Sequence, residues 1–462
     1  MYIHKIVIEN VRCFERVELD LTRPDGSFAG WTVIAGRNGA GKSTLLKAIA
    51  LAIAGPRTAD KLQSSFADWI RDGAERGSVS IELDYPVQDT NGDEAATDLT
   101  ATLAWRREKG DVTSIHAEPA DKASQILLEE GPWSLEPWGR FLAAYGPFRR
   151  IGFRDNYQKA EISSKERLKS LFDEDATLAE SIHWLGDIRA IQLDLENKAR
   201  NAPPSEFEKL DKQAQRHARL YKNVIALLNN DLLPTNVTVL EMDMQRGLLV
   251  EQGGIVRALY SLSDGYRATI ALVLDIVRQM HRAFPTFFDM EFNIEKTTDS
   301  TGKPLVQIPY EGVILIDEVD AHLHVSWQQD IGFWLKQHFP KIQFIVTTHS
   351  PFICQAADPK GLIRLPAPGT KERVEHVSDD LYYTVVNGDV DDAVMTSLFG
   401  LDRPHSDKAE NLRSEIAVLE VRQLRGTATP EELEKLEKLS AQLPKTGSSQ
   451  ILQALRKLGE LG

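Results

Sequence analysis

Gly36-Arg37-Asn38-Gly39-Ala40-Gly41-Lys42-Ser43-Thr44 is the stretch on which the fold turns. It fits G-x-x-x-x-G-K-[ST], and it stands where that pattern has a mechanism, between an apolar strand (residues 31–36, WTVIAG) and a dense apolar helix (residues 42–54). Glycines let the backbone wrap a phosphate chain so that its N–H groups point inward. Lys42 brings positive charge to the β- and γ-phosphates, and the Ser43 hydroxyl can ligate Mg²⁺. Gly36, Asn38, Gly39, Ala40, Gly41, Lys42, Ser43 and Thr44 are therefore expected to hold ATP. Read alone, the stretch is a glycine-rich turn; the strand before and the helix after make it a phosphate loop.

Working outward, residues 5–10 and Val17–Leu21 alternate as strands do, and 77–85 with 98–106 read as a hairpin. Residues 156–235 turn helical and charged. Strand patterns return at 236–244 and 248–251, followed by a long buried helix at 263–283. Residues 312–317 and 343–348 are short and nearly all apolar, the mark of parallel strands covered on both faces. The polar tip 296–304 reads as an exposed loop. In the last 55 residues, Thr429-Pro430-Glu431-Glu432 is a capping box, and Leu433, Leu436, Leu439 and Leu443 follow on one helical face.

Three further segments carry chemistry. Val313–Glu318 is an apolar strand ending in two acids, costly to bury unless something cationic sits there. Beside the phosphate loop, Asp317 is placed for Mg²⁺ and Glu318 to polarise an attacking water. Alone, the same acids would merely cap the next helix. Leu262-Ser263-Asp264-Gly265-Tyr266 opens the long helix, and a hydroxyl, a flexible glycine and a helix N-terminus make a second anion-binding element. Because one chain already has a phosphate loop, Ser263 and Gly265 are expected to serve a nucleotide held by another subunit; the plainer reading is that Ser263 caps its own helix. His349 ends the strand after that of Glu318, 31 residues on, within reach of a γ-phosphate at the same sheet edge.

Loop, signature, acidic pair and histidine occur in the order of the ABC-type ATPase heads, and the chain resembles their SMC/RecF-like branch. The opening Ile8-Glu9-Asn10-Val11-Arg12-Cys13-Phe14 resembles that branch's first strand and turn, which implies that Arg12 reaches the phosphates. Asp68–Gly73 (DWIRDG) and Leu262–Ile276 (LSDGYRATIALVLDI) resemble the same branch. Within it the chain is most similar to compact bacterial anti-phage defence ATPases of the Septu, retron-associated and PARIS kinds. The resemblance implies a P-loop ABC-type head, α/β with a mixed sheet and flanking helices. The expected division is 1–155, an N-terminal ATPase lobe; 156–235, a short helical insertion; 236–370, a C-terminal ATPase lobe; and 371–462, a helical C-terminal region. It implies ATP and Mg²⁺ as cofactors and a homodimer, or higher even oligomer, built on composite ATP sites. It also implies a separate effector, a nuclease encoded nearby. The alternative is a RecF-like recombination or repair ATPase that clamps DNA. Transporter subunits carry the same motifs, but Ser43 to Ser263 (220 residues) and Ser263 to Asp317 (54 residues) are long for them. The insertion is too short for a coiled-coil arm. The family's Q-loop glutamine has only Gln158 as a candidate.

Composition narrows the remainder. The 462 residues are 42% hydrophobic and 26% charged, ordinary for a globular protein. No apolar run is long enough to span a bilayer and the start lacks a signal-peptide pattern, so the cytoplasm and no membrane partner are expected. Cys13 and Cys354 form no C-x-x-C pair. With a net charge of −14, nucleic acid would have to be met by a local patch. Lys209, Lys212, Arg216, Arg219 and Lys222 form such a stripe at helical spacing; it suits DNA, RNA or an acidic protein, and equally a solvated helix face. His322 with His324 and Asp389 with Asp391 invite metal and nuclease readings, but neither pair has the further ligands those sites need.

Overall fold

The computed structural model describes residues 1–88, 94–108, 113–134, 141–149, 151, 164–234, 236–284, 287, 298, 302–370, 372–401 and 405–443. They form two compact units, Met1–Gly400 and Leu401–Gly462.

The first unit is built on a six-stranded sheet. β3 (Gly30–Ala35), β12 (Ile342–Thr348), β11 (Gly312–Ile316), β7 (Leu142–Tyr145) and β13 (Leu362–Arg364) are parallel, and β14 (Glu375–His376) is an antiparallel edge; the order is β14-β13-β3-β12-β11-β7. A second, antiparallel sheet of five strands runs β2 (Phe14–Asp20), β1 (Tyr2–Val11), β4 (Arg76–Gln88), β5 (Glu94–Arg107), β6 (Thr113–Ala117). A third, smaller sheet holds β8 (Val237–Asp243), β9 (Gly247–Gln252) and β10 (Ile255–Ala258). The fold is thus α/β with mixed sheets and flanking helices.

The strand period of two sorts the apolar residues into two cores. Val313, Leu315, Ile345 and Ile34 point to one side, where α1 (Lys42–Ala54) is sandwiched between the parallel and antiparallel sheets. That is why α1 is apolar nearly all round: from Leu45 to Ala54 only Lys47 is not buried. Ile314, Ile316, Phe344, Val346 and Trp31 point to the other side, against α7 (Asp264–Ala283) and α8 (Val325–His338). The Gln343 side chain stitches the two sheets: Oε1 accepts from the Ile3 N–H at 2.7 Å and Nε2 donates to the Ile3 carbonyl at 2.9 Å. Each buried Leu or Ile contributes about 1.5–3 kcal/mol, so the two-sided core fixes the strand ends that carry the site.

Within the stretch read as an insertion, α4 (Ser164–Phe172), α5 (Ala179–Arg200) and α6 (Pro204–Leu228) form, with Pro203-Pro204 marking the start of α6. Lys209, Lys212, Arg216, Arg219 and Lys222 lie along α6 at its solvent side, while Ala214, Leu220 and Val224 face inward. Of the 296–304 tip, Thr298 bridges to Pro304 and Lys303 pairs with Asp231 at 2.6 Å; residues 296–297 and 299–301 lie outside the described residues. This unit also holds α2 (Pro56–Leu62), α3 (Lys122–Glu130), α9 (Pro351–Gln355), α10 (Asp379–Asn387) and α11 (Val390–Val394).

In the second unit α12 (Asp407–Leu424) pairs with α13 (Pro430–Ser440), which begins at the Thr429–Glu432 capping box. Leu436 is buried against Ile416 and Leu419, and Leu439 and Leu443 pack beside it. Leu433 departs from the expected stripe: at the stripe's edge in the first turn, it remains 40% exposed.

Candidate functional site

The carboxyl ends of β3, β12, β11 and β7 lie side by side, and each runs into a segment with polar chemistry. That is where open parallel sheets bind ligands. From β3 the chain enters the loop Gly36–Gly41. Arg37, Asn38 and Gly39 are its exposed crest, Ala40 is buried beneath, and Ser43 and Thr44 lie on the first turn of α1. Gly41, the N-cap of α1, has φ 96°, and a Cβ there would lie 2.6 Å from Cys13 Sγ and from Phe14 Cζ. The helix start carries no capping side chain and no acid in its first turn, so its N–H groups and dipole remain available to an anion. Lys42 is buried, with Nζ donating to the carbonyls of Gly36 (3.0 Å) and Arg37 (3.2 Å). Burial pushes its pKa below the ordinary lysine value, while Glu318, Asp317 and Asp320 act to keep it charged.

β11 delivers the acids. Asp317 is buried, its Oδ1 accepting from the Thr347 hydroxyl at 2.5 Å, and the same hydroxyl oxygen accepts from the Glu318 N–H at 2.7 Å. Glu318 is half-buried with φ 44°, and His322 follows at φ 66°. Asp320 accepts from the Thr348 hydroxyl at 2.5 Å and from the His349 N–H at 3.4 Å. His349 is half-buried; burial and then Lys42 hold its pKa low, against Asp320, Glu318 and Asp317. Lys42, His349, and Asp317 with Glu318 thus follow the ends of three adjacent strands, β3, β12 and β11.

Ser263 and Gly265 arrive on α7. Ser263 is the N-cap residue by backbone, yet its hydroxyl makes no cap bond and is exposed, so the plain capping reading does not describe it. Gly265 lies against the turn after the acidic pair, where a Cβ would come 2.8 Å from the His322 carbonyl oxygen. Arg12 pairs with Asp68 at 2.8 Å and lies 4.8 Å over the Trp69 ring, and its neighbours Cys13 and Phe14 are what a Cβ on Gly41 would meet. His324 caps α8 through Nδ1, which accepts from the Ser326 N–H at 3.3 Å. Asp389 and Asp391 sit at the start of α11. Gln158 lies outside the described residues.

Sequence reading missed Arg149, Thr347, Asp320 and Lys47. Arg149 is buried just past β7 and donates to carbonyls of the acidic turn. Lys47, on α1, is held below the ordinary lysine pKa by burial while Asp317 opposes.

The residues present fit a nucleotide with its metal ion: a lysine resting on its own loop's carbonyls, an uncapped helix start and a buried carboxylate at the same edge. Mg²⁺ characteristically takes one or two protein ligands plus phosphate oxygens, and Ser43 and Asp317 are of the right type.

Residues 31–355 match the profile of the family described as "AAA domain, putative AbiEii toxin, Type IV TA system". Among curated relatives, the Septu protein PtuA of Bacillus mycoides (strain KBAB4) is 26% identical over 352 residues, covering 76% of this chain and 38% of that protein. The Retron Ec83 probable ATPase of Escherichia coli is 26% identical over 454 residues, covering 89% and 78%. The chain therefore spans well under half the length of PtuA and most of the retron protein. Of the kinds named from sequence, Septu and retron relatives are both met. Among solved structures, the SMC head domain from Thermotoga maritima aligns at a TM-score of 0.42 and 15% identity, over 82% of this chain and 100% of that one.

Proposed function

We propose that the chain, which belongs to that AAA domain family, is an ABC-type ATPase of the SMC/RecF-like branch that hydrolyses ATP to drive pairing with a second copy. That pairing controls a separate effector, a nuclease, in cytoplasmic anti-phage defence. The observation that carries the reading is that the adjacent parallel strands β3, β12 and β11 bring Lys42, His349, and Asp317 with Glu318 to one sheet edge. The names of the Septu and retron relatives support the defence setting.

In this reading Lys42 exchanges its two carbonyl partners for β- and γ-phosphate oxygens, and the loop N–H groups of residues 39–44 take the β-phosphate. Mg²⁺, held by Ser43 and Asp317, would neutralise phosphate charge as it builds up. Glu318 orients the attacking water and accepts its proton, and His349 contacts the γ-phosphate. Arg12 would leave Asp68 for phosphate. The Ser263 hydroxyl, which is exposed, and the N-terminus of α7 would meet the nucleotide of a second copy, giving two composite sites per pair.

The basic stripe of α6 favours one further reading: the RecF-like alternative, in which ATP closes the pair on DNA. Co-purification with the product of the neighbouring gene discriminates, since defence requires an effector in the complex.

The enzymatic reading is tested by steady-state MgATP hydrolysis and binding. Wild type should turn over. Lys42→Ala should bind no ATP yet remain folded, and Glu318→Gln should bind ATP while hydrolysing roughly 10²–10⁴-fold more slowly. A Glu318→Gln protein with wild-type turnover would remove the catalytic assignment.

A further inference from the structure

Arg149 is an unusual residue to bury. It is 3% exposed, and burial pushes its pKa down to about 10, so it carries its charge at neutral pH. It makes no direct ion pair among the hydrogen bonds described. Instead Nη1 donates to the carbonyls of Gly146 and Asp317 (both 3.1 Å), and Nη2 to those of Glu318 (3.1 Å), Val319 (3.2 Å) and Ala321 (3.1 Å). Four of these five acceptors belong to the turn that carries the acidic pair. Asp320, Asp317 and Glu318 add long-range attraction.

That turn is strained. Glu318 and His322 both occupy the left-handed region without being glycine, at φ 44° and 66°, a conformation costing about 1–2 kcal/mol each. Such backbone persists only where its surroundings over-determine it. The turn's own N–H bonds (Ala321 to the Glu318 carbonyl, 2.8 Å; Leu323 to the Asp320 carbonyl, 3.1 Å) close it locally but leave its carbonyls crowded on one side. A planar, five-donor guanidinium is the side chain that can collect several carbonyls at once; an ammonium is a point donor.

We propose that Arg149 is a positioning residue for the hydrolytic step: its fork gathers the carbonyls of residues 317, 318, 319 and 321, holds Glu318 in its left-handed conformation, and so fixes where the Glu318 carboxylate meets the attacking water. The proposal rests on the reading of Glu318 as the general base. It predicts a split between chemistry and binding, because Lys42 and the phosphate loop are not held by Arg149, whereas a shift of about 1 Å at a catalytic group can cost roughly 10²-fold in rate.

The test compares Arg149→Lys, which retains the charge without the fork, with wild type. Arg149→Lys should lower kcat at least tenfold while the KM for MgATP stays within about threefold and the melting temperature falls only a few degrees. Hydrogen exchange without nucleotide should speed up at the amides of 318–323 and stay unchanged in β11. Wild-type kcat, or a lowered kcat with unchanged exchange at 318–323, would overturn the positioning role. So would equal losses of rate, binding and global stability, which mark a merely structural residue. Were wild type to lack ATPase activity altogether, the functional reading would fall, while the exchange comparison would still decide whether Arg149 holds the turn.

Discussion

Adding one methyl group to the phosphate loop should separate backbone strain from steric contact. Gly41 has φ 96°, and a Cβ on it would stand 2.6 Å from Cys13 Sγ and from Phe14 Cζ. Ordinary carbon contacts lie near 3.5–4.0 Å, so something must move by about 1 Å. Phe14 is a buried ring and cannot swing away. The left-handed backbone costs Gly41→Ala about 1–2 kcal/mol, and overpacking about 1–3 kcal/mol more, roughly 2–5 in all. Gly26 is the internal control: its φ is 78°, but a Cβ there meets nothing within 4 Å, so Gly26→Ala should carry only the backbone part. The difference, about 1–3 kcal/mol, has two outlets. If the loop stays put, Gly41→Ala melts lower than Gly26→Ala. If the loop yields, the N–H cradle is distorted and affinity for a non-hydrolysable ATP analogue falls by roughly 5- to 150-fold. Thermal melts and titration calorimetry on both variants decide between the two. Should Gly41→Ala melt and bind like Gly26→Ala, the close approach of Cys13 and Phe14 to this loop is not what shapes it.

Two further outcomes are expected. Lys42→Ala and Ser263→Arg chains, each inactive alone, should regain ATPase activity on mixing, because a heterodimer would hold one intact composite site; a mixture that stays inactive removes the trans arrangement. Burial holds His338 at a pKa of about 4, with Nδ1 donating to the Val306 carbonyl at 2.6 Å, against an ordinary value near 6.5. Between those values the unfolded chain binds more protons, so the stability conferred by the neutral ring is complete above pH 6.5 and is lost as pH falls toward 4. The advantage of wild type over His338→Asn in urea melts should shrink by up to about 3 kcal/mol across that window, and an advantage independent of pH would contradict the burial argument.

Local patterns in the sequence carried the elements well. The bounds of α1 follow from the glycine that cannot continue a strand and the dense apolar run behind it, and the capping box starts α13 where Thr429 and Glu432 say it should. Uninterrupted apolar runs correctly marked β11 and β12 as strands covered on both sides. The order of strands was not legible, because period-two patterning says which faces are buried and nothing about neighbours. That β13 pairs with β3, and that β7 closes the edge beside β11, depends on contacts between residues far apart in the chain. Leu433 shows the same limit on a helix: helical spacing alone does not say how far a stripe's edge is covered.

The site divides along the same line. Lys42, Asp317, Glu318 and His349 could be named because each stands in a short pattern whose spacing is set by its own strand end. Arg149 and Thr347 act on backbone that reaches them only through the sheet. Thr347 is an ordinary strand residue until β12 lies beside β11; its hydroxyl then donates to Asp317 and accepts from the Glu318 N–H, joining the two acids through one oxygen. Arg149 sits in Tyr145-Gly-Pro-Phe-Arg-Arg150, where an arginine after a proline turn reads as surface. Only the pairing of β7 with β11 turns it inward toward the carbonyls of residues 317, 318, 319 and 321. One clue was in the sequence: two consecutive acids at the end of an all-apolar strand need cationic compensation from somewhere. The sequence reading looks for it in the phosphate loop and its Mg²⁺. A single lysine resting on the carbonyls of its own loop cannot also hold the backbone of the opposing turn, so the unmet need was geometric as well as electrostatic, and a buried arginine satisfies both parts.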